Sequence, residues 1–261
     1  MAVQTIDEVV AALDAIIQRS YDDASRLGYF AALYWRVTCA VRDGIHSGSF
    51  PDCNLMEQLD VVFASRYLDA LAAYQAGGIA SKSWIVAFQG CNDPGLLALQ
   101  HLLCGMNAHI NLDLGIAAAQ VSPGEQLAGL KPDFDAINAV LAGLTGTVAA
   151  ELAAVSPLIG DLEKIDPSEE IKVAGFDMTA ARDAAWVTAE RIAFEPSFLH
   201  QATIDGLDLA VSVAGRALLY PDHDSPALTL IQQAEVKDVR RVIDVLSQAG
   251  SAGAARAATN T

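Results

Sequence analysis

The sequence predicts an all-α fold: a single-domain bundle of about eight or nine helices built around a central buried helix near residues 94–120. Three observations carry this. Apolar residues recur at three- and four-residue steps through nearly the whole chain, no stretch shows sustained alternation with β-branched residues, and capping residues stand where the apolar stripes begin. With 261 residues, 52% of them hydrophobic, the chain can bury a large core within one domain spanning residues 1–250.

The elements follow in order. Thr5-Ile6-Asp7-Glu8 is a capping box, a hydroxyl at the cap and a carboxylate three residues on, and it opens a stripe of Ile6, Val9, Val10, Leu13, Ile16 and Ile17. After Gly28 a second helix carries Tyr29, Leu33, Val37 and Val41 and ends near Gly44 to Gly48. Asn54-Leu55-Met56-Glu57 repeats the capping logic for a third helix that stops at Gly77-Gly78, and a short apolar piece, Ser83 to Gln89, follows. Asp93-Pro94 predicts a helix start, because proline suits the first turn, and that helix should run to about Gln120. Lys131-Pro132-Asp133 opens another that reaches about Val155 despite Gly143 and Gly146. Residues 156–177 read as a long loop. Helices resume at Met178–Phe194, Ser197–Leu219 and Pro226–Ser247, and residues 251–261 form a flexible tail.

A formal charge of −16 argues against nucleic acid and against an anionic membrane surface. The first 20 residues place acids among apolar positions and have no basic start, so no signal peptide is expected. The apolar window Leu96 to Ala119 contains His101, Asn107, His109, Asn111 and Asp113, which suits a buried helix better than a membrane span. No stretch reads as a membrane segment, and a cytoplasmic protein is expected. Cys39, Cys53, Cys91 and Cys104 show no CxxC spacing and read as buried thiols.

The central helix also carries the chemistry. At about 100° per residue, Leu99, Leu103, Met106, Ile110 and Leu114 share one apolar face, while His101, Gly105, His109, Leu112 and Asp113 share another. His109 and Asp113 stand four apart, close enough to meet, and Gly105 leaves room for a neighbouring helix or a ligand. Three readings stay open: polar groups satisfying one another in the core, acid–base catalysis with Asp113 orienting His109, or a divalent metal such as zinc held by His101, His109 and Asp113. On the third helix, Met56, Asp60, Phe63, Tyr67, Leu71 and Tyr74 form one stripe, so Asp60 lies among apolar groups and its pKa should rise unless it is paired. Arg66 falls off that stripe and is placed to reach a carboxylate on a neighbouring helix. Asp133 and Asp135 suit helix capping, and Asn138 one turn on faces inward. Asp183, Trp186 and Glu190 share a face that is expected to be solvated. No P-loop, GxGxxG, GxSxG or ExxH pair is present, which removes support for nucleotide, Rossmann, serine-elbow and ferritin-type di-iron chemistry.

The run Gly105-Met106-Asn107-Ala108-His109-Ile110-Asn111-Leu112-Asp113-Leu114 resembles the N-A-H-I-N-x-D-L signature of a bacterial, largely actinobacterial, family of helical proteins of unknown function. Phe63-Ala64-Ser65-Arg66-Tyr67-Leu68-Asp69-Ala70 and Asp133-Phe134-Asp135-Ala136-Ile137-Asn138 match as well, so the likeness covers roughly residues 25–190. It implies an all-helical domain and no particular reaction. In size and acidity the chain is also similar to cofactor-free cyclases that form spiroacetals in polyketide pathways.

The expected function is that of a cofactor-independent enzyme of secondary metabolism. It would cyclise or dehydrate a largely apolar small molecule, with His109, Asp113, Asp60 and His101 catalytic. Tyr67, Asn107, Asn111, Arg66, Phe63 and Asp135 would position the substrate. The alternatives are a metal-dependent hydrolase built on His101, His109 and Asp113, and a non-catalytic binder of a hydrophobic ligand. A homodimer is compatible with helices that are apolar on two faces.

Overall fold

In the computed structural model, which describes residues 2–159, 177–221 and 226–247, every regular element is a helix, and no strand occurs among the described residues. Most of the expected loop at 156–177, the tail at 251–261 and His223 lie outside them. Ten helices are present among the described residues, slightly more than predicted. They are α1 (Ile6–Asp22), α2 (Leu27–His46), α3 (Cys53–Gln75), α4 (Lys82–Gly90), α5 (Ala98–Met106, Asn107–Leu114 and Gly115–Val121 in succession), α6 (Leu127–Val155), α7 (Met178–Phe194), α8 (Ser197–Leu219), α9 (Pro226–Ala234) and α10 (Val239–Ser247).

Local signals set several boundaries. The Thr5 hydroxyl accepts from the Glu8 amide, although the Glu8 carboxylate turns to the Gln4 amide rather than closing the box. The cap of α3 is Asp52, which accepts from the amides of Asn54 and Leu55, so Asn54 is already inside the helix. Glu57 is spent on the Ile6 amide, which ties α3 to the start of α1. Gly77 ends α3 at φ +70°, a conformation that glycine adopts without cost.

Three boundaries depart from the sequence reading, the first two because distant groups set them. Helix α5 begins at Ala98, not at Pro94: Asp93 accepts from the Gly95 amide in a local turn, and the Ala98 amide donates to the carboxylate of Glu235. To supply that cap, Glu235 leaves the helical path, and the expected 226–247 helix divides into α9 and α10, with Val236 donating to the Val155 carbonyl. Helix α6 begins at Leu127 and carries Pro132 in its second turn. The missing amide there removes only one bond of the ladder.

Helix α5 is the centre of the bundle, as the sequence predicts, and packs against α2, α3, α4, α7 and α8. Between Ala98 and Ala119 only Leu99, Met106 and Asn111 are less than fully buried. Its middle, Asn107–Leu114, is π-helical, so the angle of about 100° per residue used to assign faces does not hold there. Two glycines let neighbours come close. A Cβ on Gly105 would stand 2.5 Å from the Phe30 ring of α2, and one on Gly115 would stand 2.4 Å from the Ala185 carbonyl oxygen of α7. Gly115→Ala is therefore expected to lower stability by about 1–3 kcal/mol, towards the upper end because the obstacle is backbone. The urea midpoint measures this, and an unchanged midpoint would mean that α5 and α7 do not approach so closely.

Contrary to expectation, one segment, Gly124–Val155, is long and apolar enough to cross a membrane by length and composition. Only 11% of its apolar window is buried, so this is not an ordinary core helix. Gly143 and Gly146, read in the sequence as weakening the helix, lie in a run from Ala136 to Ala150 that holds no charged residue. The side that turns inward faces a cavity.

Candidate functional site

Four helical stripes face one another without filling the space between them. Phe30, Leu33, Tyr34, Val37 and Val41 come from α2, Met56, Leu59, Asp60 and Phe63 from α3, and Leu99, Leu102, Leu103, Met106, Ile110 and Leu114 from α5. The fourth stripe, Ile137, Leu141, Leu144, Val148 and Leu152, belongs to α6. Each follows three- and four-residue steps, the spacing that puts side chains on one side of a helix. The cavity between them, partly open to solvent, has a volume of about 530 Å³, within the usual range for a small-molecule site. Five polar residues reach its wall: Tyr34, Asp60, His109, Thr145 and Arg182.

Asp60 is buried with one carboxylate oxygen lacking any hydrogen-bond partner. Burial, helped by the nearby Glu57 carboxylate, pushes its pKa up to about 7. The folded protein thus holds the Asp60 proton to about pH 7, whereas the unfolded chain releases it near pH ~4. Between those values the native state binds more protons, so this group's contribution to stability falls as pH rises. Buried His101 and His109 act oppositely, because their lowered pKa values make the fold lose stability as pH falls below about 6.5. Asp60→Asn is expected to gain melting temperature over wild type as pH rises from about 4 to about 7. A difference that stays flat with pH would contradict the buried, unpaired carboxyl.

His109 lies in a box of rings. Phe63 stacks on it with centroids 3.6 Å apart and planes within 7°, Tyr34 meets it edge-on at 4.5 Å, and Phe30, Tyr67 and Trp84 close the sides. Burial lowers its pKa more than Asp113 raises it, so the ring is neutral at pH 7. Its Nδ1 stands 3.5 Å from Asp113 Oδ2, and neither nitrogen makes a hydrogen bond. Asp113 is engaged elsewhere: Arg66 Nε donates to Oδ1 at 2.8 Å and Trp84 Nε1 donates to Oδ2 at 2.7 Å. The pairing of Arg66 with a neighbouring helix's carboxylate thus occurs as the sequence suggests, but it ties α3 to α5 and lies outside the cavity wall.

The other candidates are dispersed. His101 packs edge-on against Tyr29 at 5.7 Å, away from the cavity wall, and burial holds its pKa down to about 4. Asn107 donates to the Val211 carbonyl and accepts from Asn111, which fastens α8 to the π-helical turn. Tyr67 is buried in the aromatic core beside the cavity, and Asp135 pairs with Lys131 on the exposed side of α6. Asp133, buried, accepts from the Asp52 amide. Of the ten residues assigned catalytic or binding roles from sequence, Asp60, Phe63 and His109 line the cavity. Among the described residues no three His, Cys, Asp or Glu side chains stand close enough to hold a metal ion, and His101, His109 and Asp113 form no such group.

Sequence reasoning missed Tyr34 and Arg182. Tyr34 is on the α2 stripe one step from Leu33; its buried hydroxyl has no partner, and burial together with the Asp60 carboxylate raises its pKa. Arg182, one helical turn after Met178, is buried against the Phe134 ring at 4.4 Å. Its Nε donates to Asn138 at 2.7 Å and Nη2 donates to the Phe134 carbonyl. Burial brings its pKa down to about 10, so it remains charged at pH 7. Beside the cavity a partly buried ion pair, Arg36 with Glu151, holds the end of α6 to α2.

A model of a family of unknown function (DUF5995) matches residues 6–221, a longer stretch than the 25–190 that the signature pieces span. No curated protein and no solved structure matches the chain.

Proposed function

The chain belongs to this family of unknown function, and we propose that its cavity binds a largely apolar small molecule and that Asp60 and His109 act on it as acid and base. The observation that carries this reading is the juxtaposition in one apolar cavity of a carboxyl titrating near neutrality, with one oxygen unpartnered, and a neutral imidazole without hydrogen bonds. Buried polar groups are nearly always satisfied by the protein, so an unsatisfied set facing a cavity suits a ligand that completes it. Near pH 7 Asp60 is present in both protonation states and can donate a proton, while His109 can accept one. Cyclisation with loss of water fits that pairing. A substrate hydroxyl attacks a carbon and passes its proton to His109, and Asp60 protonates the hydroxyl that leaves as water. Spiroacetal closure is one such case; the comparisons lend it no support.

A second reading, binding without catalysis, is favoured by the missing orienting bond on His109, whose neighbour Asp113 is held by Arg66 and Trp84. The test is to extract the purified protein with organic solvent, identify the apolar compound released, and offer that compound and its uncyclised precursor to wild type and Asp60→Asn.

A further inference from the structure

The cavity is elongated. Its α6 wall runs along one helix from Ile137 to Leu152, 15 steps that at about 1.5 Å each span about 22 Å. Half of a bilayer's hydrocarbon core is about 15 Å thick, so a cavity of this length takes a whole acyl chain. Aliphatic side chains such as Leu33, Val37, Leu59, Leu103, Leu141 and Val148 supply walls that ask nothing of a hydrocarbon tail.

Arg182 reaches the wall of the same cavity, with Met178 and Ile137. It is 4% exposed, and among the described residues no carboxylate comes within ion-pair distance of it. Its fixed bonds go to an amide oxygen, a backbone carbonyl and a ring face, all uncharged. Asp135 and Asp183 act on it only at longer range, and Asp60 is not among the groups that influence it. A buried cation without an anion is costly, and a guanidinium is the side chain best shaped to receive a carboxylate.

We propose that Arg182 receives the head group of a long-chain carboxylate whose tail lies along the cavity beside α6. The assignment rests on the reading that the cavity takes an apolar molecule, and it names the class of that molecule. The tail is held by apolar burial and the head by charge-assisted hydrogen bonds, so both ends are required for full affinity.

The experiment is displacement of an environment-sensitive apolar fluorophore, 1-N-phenylnaphthylamine, from the full chain by palmitate, methyl palmitate and octanoate. Palmitate is expected to compete about tenfold or more better than its methyl ester, and better still than octanoate. In Arg182→Gln the preference for acid over ester should vanish while the ester's affinity stays near its wild-type value. Because Arg182 also bonds to α6, the acid–ester comparison on wild type stands alone if that variant fails to fold. Equal competition by acid and ester would overturn the role of Arg182 and leave the apolar cavity intact. Equal competition by octanoate and palmitate would overturn the placement of the tail. Failure of the fluorophore itself to bind would overturn both this assignment and the reading on which it rests.

Discussion

Asp113→Ala is expected to cost the fold about 3 kcal/mol, a large part of the stability of a typical domain. The carboxylate is nearly inaccessible and accepts from the Arg66 guanidinium and the Trp84 indole at the same time. Removing it leaves Trp84 Nε1 buried without an acceptor and parts α3 from α5. Arg66 is 28% exposed and can turn to water, which keeps the cost below that of stranding a fully buried charge. Asp113→Asn keeps an oxygen for Trp84 and loses the charge, so its loss should be smaller. Urea unfolding of the three proteins measures this order. A wild-type midpoint in Asp113→Ala, with turnover abolished, would instead return Asp113 to the chemistry. His109→Ala is a poor probe for a related reason: it removes a ring stacked on Phe63 and opens a hole, so a lost activity would not separate catalysis from collapse.

Asp60→Asn is expected to lower turnover about 10²- to 10⁴-fold, the usual weight of a positioned general acid, while affinity for the apolar ligand changes little. The amide matches the carboxyl in shape and can donate a hydrogen bond but cannot give up a proton. Stability should not suffer, because the wild-type group is itself buried with an unpartnered oxygen. Single-turnover kinetics beside a binding titration separate the two terms. Unchanged turnover in a protein that still binds would remove Asp60 from the reaction and favour the reading of a binder without chemistry.

Much of the architecture was legible in the chain, because helix periodicity and the first cap are local properties. The stripe from Ile6 to Ile17, the end of α3 at Gly77 and the buried course of residues 98–119 all follow from neighbours within a turn or two. The rise in the Asp60 pKa was legible as well, since its stripe already surrounded it with apolar residues. Tertiary structure decided what needed partners remote in sequence. Glu235 moved the start of α5 by capping Ala98 and split the last helix in doing so. Arg66 and Trp84 took Asp113 away from His109. The π-helical turn changed which side chains share a face, and the packing of α2, α3 and α6 around α5 left a cavity whose wall includes Tyr34 and Arg182. The sequence by itself determined that the chain is helical, which helix is central and that polar groups are buried within it. Only the fold decided which of those groups satisfy one another and which are left facing open space, because hydrogen bonds between helices depend on distances that no spacing along one helix contains.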